Sequence, residues 1–349
     1  MVSAKQPALY GAIRNAANAQ KSRQEYTAVP TTATLDEPIY HDVLIIGAGM
    51  AGINMAYRLQ TQMPHLSFRV LEARNDIGGT WDFLKYPGLR SDSDMYTYGF
   101  VWRPWRHRLL GDGAEILSYL HECVSAFGLD ERISFRHKVI KADWSSEMKQ
   151  WAIQADQNGH TKTYVAKWLV LSPGQVIHPQ FWPTEYDSTD KRVIIIGSGA
   201  TAVTLFPALV QSSQAKQVTV LQRSPSYISS VPNPELPAKT PFDPHFVPAY
   251  MPWDQRLCFA KDGDFFRALH SDNADVVTGT IRTITVNEIE LEDGRTLKAD
   301  VIITATGLKM HFAGAIPISV DGDAVTWPEK LLWNGGMVQD VPNLFFMWG

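Results

Sequence analysis

The stretch Asp42-Val43-Leu44-Ile45-Ile46-Gly47-Ala48-Gly49-Met50-Ala51-Gly52 constrains the fold more than any other. Its unbroken apolar run reads as a strand buried on both faces of a parallel sheet. Gly47, Gly49 and Gly52 follow at G-x-G-x-x-G spacing, and Ile53 to Leu59 continues at helical period. In such a turn one glycine permits the reversal, one lets backbone approach a pyrophosphate, and one lets helix and strand pack closely. The phosphates then rest on the open N–H groups of the helix N-terminus. A second strand, Phe68-Arg69-Val70-Leu71, ends in Glu72, twenty residues past Gly52. A carboxylate there binds ribose hydroxyls.

The pattern recurs. Arg192-Val193-Ile194-Ile195-Ile196 is another buried strand, and Gly197-Ser198-Gly199-Ala200-Thr201-Ala202 is G-x-G-x-x-A. The following strand, Val218 to Gln222, ends in Arg223-Ser224 instead of an acid. A carboxylate would repel a 2′-phosphate, whereas guanidinium and hydroxyl bind one. The first site therefore reads as taking a dinucleotide with a free ribose, and the second as preferring NADPH over NADH.

With 349 residues, 45% apolar and 19% charged, the chain has room for more than one globular domain. A formal charge of −4 gives no sign of a nucleic-acid partner. Cys123 and Cys258 have no metal or C-x-x-C spacing, so no metal site is read and a reduced, cytoplasmic setting is expected. No apolar run approaches the ~18 residues of a membrane span, and no signal peptide is read at the start.

In chain order, residues 1–40 read as a polar extension, helical in part from Leu9 to Gln20. Residues 41–174 read as a first dinucleotide-binding domain, 175–304 as a second, NADP-binding one, and 305–349 as a return to the first. Ala114 to Phe127 has helical periodicity with Gly128 as its stop. Ile133-Phe135, Trp151-Ile153 and Tyr164-Leu171 read as a small antiparallel meander returning to a buried strand. The expected fold is α/β, with two interleaved Rossmann-like dinucleotide-binding domains and that meander.

Four stretches narrow the reading: Gly78-Gly79-Thr80-Trp81, Tyr86 through Tyr98, Gly174-x-x-x-His178-x-x-x-Trp182-Pro183, and Asp300 through Gly307. With them the sequence resembles class B flavoprotein monooxygenases, the group of Baeyer–Villiger and flavin-containing monooxygenases. The third stretch resembles the Baeyer–Villiger fingerprint F-x-G-x-x-x-H-x-x-x-W-P, with Ser172 in place of the aromatic. The resemblance implies FAD at Gly47, Gly49, Gly52, Glu72, Gly79, Thr80, Trp81, Asp92, Tyr98 and Val139. It implies NADPH at Gly197, Ser198, Gly199, Ala200, Thr201, Arg223 and Ser224, with His178 also a cofactor contact.

In Baeyer–Villiger enzymes a mobile arginine, held by an aspartate, stabilises the negatively charged flavin peroxide. Arg256, in Tyr250 through Cys258, and Asp92 match those positions. The expected activity is NADPH- and O2-dependent oxidation of a small ketone to an ester or lactone. Heteroatom oxygenation is the alternative, and a catalytically impaired nucleotide-binding scaffold is another. Three departures bear on that choice. The spacer before the histidine motif is absent, a Pro-rich bridge (Val231 to Pro244) replaces a helical insertion, and the sequence stops at Phe345-Phe346-Met347-Trp348-Gly349. Either segments are missing from the sequence as given or this is a shortened homologue, and its oligomeric state is open.

Overall fold

The computed structural model describes residues 37–172, 182–183, 186–212, 214–230, 236–252, 254–255, 257–307 and 312–347. The expected Leu9–Gln20 helix, Gly174, His178 and Arg256 lie outside the described residues.

Strand β1 (Ile39–Ile46), helix α1 (Met50–Gln62) and strand β2 (Phe68–Leu71) form the first strand–helix–strand unit. Val43 and Ile45 pack with α1, while Leu44 and Ile46 join a separate core on the opposite face. Both faces are covered, which is why β1 is apolar at every one of these positions. Each such side chain contributes about 1.5–3 kcal/mol by leaving water. Helix α2 (Gly113–Ala126) adds Ile116, Leu120 and Val124 to the α1 side. A capping box of Asp112 and Glu115 opens it, and Gly128 at φ 60° follows its end.

Four strands follow: β3 (Ile133–Ser134), β4 (Lys138–Ser145), β5 (Gln150–Gln157) and β6 (His160–Leu171). The meander is β4-β5-β6, antiparallel throughout. Ile133–Phe135, expected as its first strand, is placed elsewhere. Ile133 and Ser134 pair in parallel with Val70 and Leu71 at the edge of the nucleotide sheet. The Glu72 N–H donates to Ser134 O at 2.9 Å, extending that ladder past the end of β2. The parallel order is β3-β2-β1-β6, then Leu344–Phe346. The edge of β6 is divided. His160 to Ala166 pair with β5, and Leu169 to Leu171 with Leu344 to Phe346.

Strand β7 (Arg192–Ile196), helix α3 (Ala200–Ser212) and strand β8 (Gln217–Gln222) repeat the unit. Their parallel sheet runs Ala274–Thr278, β8, β7, Val301–Thr304. Helix α3 covers one face, through Val203, Phe206 and Leu209. Short antiparallel strands between residues 281 and 298 cover the other, with Ile289 and Leu291 against Ile194 and Leu221. The chain then returns, Ile318–Val320 pairing in parallel with Ala142–Trp144 of β4.

Each parallel sheet reverses its strand order once, between β1 and β6 and between β7 and Val301–Thr304. Ligands of α/β sheets bind at such switch points, beyond the carboxyl ends of the strands. Among the described residues no helix is long and apolar enough to cross a membrane.

Gly52 is where α1 meets β1. A Cβ there would lie 1.9 Å from the Gly47 carbonyl oxygen and 3.6 Å from Ile45 Cγ2. Gly52→Ala is expected to cost the ligand-free protein about 1–3 kcal/mol of stability, as overpacked contacts do. Urea denaturation checks this, and an unchanged midpoint would mean that α1 can retreat from β1 at no cost.

Candidate cofactor sites

Helix α1 starts at Gly49 with no side-chain cap. Elsewhere, Asp94 caps the turn Met95–Tyr98 and a capping box opens α2. The leading N–H groups of α1 are thus left for an anion. Beside them lies Glu72, only 6% exposed. Its Oε2 accepts from the Ala48 N–H at 2.7 Å and its Oε1 from the Arg74 N–H at 3.0 Å. The Gly78 N–H donates to Ala48 O at 3.0 Å, which brings the Gly78–Trp81 turn against the glycine loop. Thr80 and Trp81 begin the helical turn Thr80–Phe83. The structure therefore gathers Gly47, Gly49, Gly52, Glu72, Gly79, Thr80 and Trp81 at one switch point.

Val139 is buried on β4, two residues past His137, whose N–H donates to Glu72 O at 2.8 Å. Tyr98 packs, partly buried, on the core that holds Met50 and Ile53. Arg74 was not singled out from sequence. Its Nη2 donates to Gly79 O at 3.0 Å, its Nη1 lies 3.1 Å from Asp82 Oδ2, and its guanidinium covers the Phe83 ring at 5.5 Å. It fastens the second glycine turn to the ribose acid. An arginine two residues past a strand-end glutamate was the available signal, and it gains meaning only once the turn folds back.

At the second switch point the Ser198 hydroxyl donates to Ser224 O at 3.0 Å and lies 2.9 Å from Ser226 Oγ. This joins the glycine loop to the end of β8. Arg223 is exposed and makes no hydrogen bond or ion pair with the described residues. Gly197, at φ 138°, faces Ala305 so closely that a Cβ would stand 2.1 Å from its carbonyl oxygen. The Ala305-Thr306-Gly307 turn is thereby set against the glycine loop. Gly199 is the opposite case, because nothing lies within 4 Å of where its Cβ would be. The buried carboxylate and uncapped helix fit a nucleotide with free ribose hydroxyls, as in FAD. The open cradle and exposed guanidinium fit one bearing an extra phosphate.

Asp92 is half-buried in the loop between the two sites. Its neighbour Tyr86 belongs to the core of the second sheet. Burial pushes the Tyr86 hydroxyl up, the Thr204 and Thr201 hydroxyls oppose this, and the Asp92 charge adds to the rise. Tyr86 therefore stays protonated. Of the fingerprint, Trp182 packs partly buried on that same core, 5.3 Å from the Tyr186 ring. Ser172 is buried at the end of β6.

Gly199→Ala tests the second cradle. Stability of the ligand-free protein should not move, while NADPH affinity drops at least tenfold, because backbone approach to the pyrophosphate is blocked. Thermal melting and fluorescence titration measure the two. Arg74→Met should release bound flavin, read as lost absorbance at the purified protein's visible band, with unchanged NADPH affinity.

The sequence family described as an NAD(P)-binding Rossmann-like domain matches residues 45–107. The FAD-containing monooxygenase EthA of Mycobacterium tuberculosis is 38% identical over 381 residues, covering 88% of this chain and 78% of that protein. The probable FAD-binding monooxygenase AlmA of an Acinetobacter species is also 38% identical, with 88% and 76% covered. The EthA alignment is longer than the 349 residues available here, so that relative carries internal segments absent from this chain. Among solved structures, cyclohexanone monooxygenase from Rhodococcus sp. Phi1, bound to NADP+, superposes with a TM-score of 0.72 at 20% identity. It covers 88% of this chain and 79% of the other, a likeness of fold. The two nucleotide units and these relatives lead to one conclusion: the chain belongs to the family of FAD-containing monooxygenases, in the class of Baeyer–Villiger and flavin-containing monooxygenases.

Proposed function

We propose that the protein is an NADPH- and O2-dependent monooxygenase that converts a small ketone to an ester or lactone. One oxygen atom enters beside the carbonyl, the other leaves as water, and NADPH supplies the two electrons. The observation that carries this is the pairing of two unlike switch points in one chain, one closed by buried Glu72 and the other edged by exposed Arg223. In this reading residues 41–174 and 305–349 hold FAD and 175–304 hold NADPH.

The N-terminus of α1 holds the FAD pyrophosphate, Glu72 takes its ribose hydroxyls, and Gly79, Thr80, Trp81, Tyr98 and Val139 line its path. Gly197 to Thr201 hold the NADPH pyrophosphate, and Arg223 with Ser224 takes the 2′-phosphate. Bound FAD supplies the redox chemistry that links NADPH to O2. Arg256 is assigned to stabilise negative charge during oxygen transfer, Asp92 to hold that arginine, and His178 to contact cofactor. Arg256 and His178 are supported by their sequence motifs.

The internal segments missing relative to EthA support a second reading, a nucleotide-binding homologue that does not oxygenate. Purified protein discriminates between the two: yellow, NADPH-reducible protein that forms oxygenated product supports the enzyme, and colourless protein overturns it. Sulfide or amine oxides from a substrate panel, without esters, would replace ketone oxidation with heteroatom oxygenation.

Arg223→Ala should weaken NADPH by about 10–100-fold, the worth of one charge-assisted contact, and leave NADH unaffected. Stopped-flow flavin reduction with both nucleotides checks it, and equal losses would make Arg223 merely structural. Arg256→Ala should keep FAD and its reduction but lose ~10²–10³ in oxygen transfer. NADPH consumed should then appear as hydrogen peroxide rather than product.

A further inference from the structure

The segment from Leu84 to Asp112 follows the first glycine sites in sequence, yet its start is built into the second unit, while Met95, Phe100 and Trp105 lie in the first unit's core. Leu84 and Tyr86 are buried with Val193, Leu205 and Phe206. Gly88, at φ 78°, fits so tightly against α3 that a Cβ would stand 2.3 Å from Thr204 O and 3.0 Å from Ala208 Cβ. From Leu89 onward the backbone is claimed by the first unit again. The Ser91 N–H donates to Gly111 O at 2.9 Å, and the Gly113 N–H, at the start of α2, donates to Leu89 O at 2.8 Å.

Arg90 stands at this boundary and is 8% exposed. Its Nη1 donates to Asp264 Oδ2 at 2.5 Å and its Nη2 to Asp264 Oδ1 at 3.2 Å. Asp264 opens the helical turn Asp264–Ala268, which is packed into the core under α3. Among the described residues the Arg90 Nε–H has no acceptor, so the pairing of this buried cation rests on its two terminal nitrogens. Asp112, joined to Arg90 by an antiparallel bridge, accepts from Nζ of Lys261, three residues before Asp264, at 3.0 Å. The two pairs run in opposite senses: the first unit offers Arg90 and Asp112, and the second answers with Asp264 and Lys261. A bidentate guanidinium–carboxylate pair fixes angle as well as distance. A second pair of reversed polarity forbids sliding.

We propose that Arg90 is a positioning residue, whose ion pair with Asp264 sets the angle at which the NADPH site faces the flavin. The proposal rests on the two-cofactor reading above. Hydride transfer needs its reacting atoms ~3–3.5 Å apart, and a displacement of about 1 Å costs ~10²-fold in rate. A joint that holds two nucleotide sites in register is therefore visible in the reduction rate before it is visible in either affinity. Arg90 touches neither nucleotide loop in this arrangement and acts through Asp264.

The test uses the holoenzyme and two variants. Arg90→Lys keeps the charge and loses the fork. Arg90→Met combined with Asp264→Leu removes both charges, a change that leaves buried-pair proteins folded. In anaerobic stopped flow the double variant should keep its flavin and its half-saturation for NADPH within twofold. Its limiting reduction rate should fall ~10–100-fold, with Arg90→Lys in between.

A second readout does not depend on turnover. Cys123 and Cys258 are buried, so spin labels placed through Asn158→Cys and Val286→Cys, both exposed positions, report one distance between the two units. That distance distribution should broaden in the double variant. A double variant with the parental reduction rate, or with an unbroadened distance, overturns the proposal. If the parent itself carries no reducible flavin, the functional reading fails instead, and the joint is judged on the distance distribution alone.

Discussion

The carboxylate of Glu72 is buried with one oxygen on the Ala48 amide and the other on the Arg74 amide, so the end of β2 is stitched to the glycine loop by charge. Arg74 carries the stitch on to Gly79 O. A buried carboxylate is costly unless donors surround it, and here the donors are the backbone of the loops that make the site. The glycine loop, the ribose acid and the Gly78–Trp81 turn are consequently one object. Much of what the first unit can bind follows from that arrangement, because moving any of the three leaves a buried charge short of a partner.

The two nucleotide sites use the same backbone logic with opposite endings. Glycine brings α1 onto β1 at Gly52, and the second unit spends its tightest contact on Gly197 against Ala305. The second strand of each unit runs into a charged residue of opposite sign, buried Glu72 in one and exposed Arg223 in the other. An acid that organises its own loops belongs inside, whereas an exposed cation is left open to solvent.

Much of this was legible in the sequence, for a physical reason. Strands covered on both faces, such as β1 and β7, announce themselves as unbroken apolar runs, and the glycine spacings sit directly after them. Strand β4 was missed because a register shift between Val139 and Lys141 breaks its alternation. Ile133 and Ser134 are too short a strand to show any period, so their neighbours suggested a meander instead of a parallel edge. The Arg74 signal, two residues past Glu72, gains meaning only once the Gly78–Trp81 turn folds back, and the Arg90–Asp264 pair leaves no signal at all. The latter spans 174 positions, and no spacing rule connects residues that meet only after two sheets have formed.

The divided edge of β6 has a consequence for how the molecule is made. Leu169 to Leu171 have been synthesised long before Leu344 to Phe346, their partners. All four strands of the second sheet lie between residues 192 and 304 and reach the solvent in the interval. On a ribosome the inserted unit can close while the host sheet still shows an open apolar edge, the kind of surface that pairs with other chains. The entropy of closing so long a loop grows only with the logarithm of its length, so the delay is one of timing more than of stability. Nascent chains halted between residues 304 and 344 are the stage at which chaperones would find the most to hold.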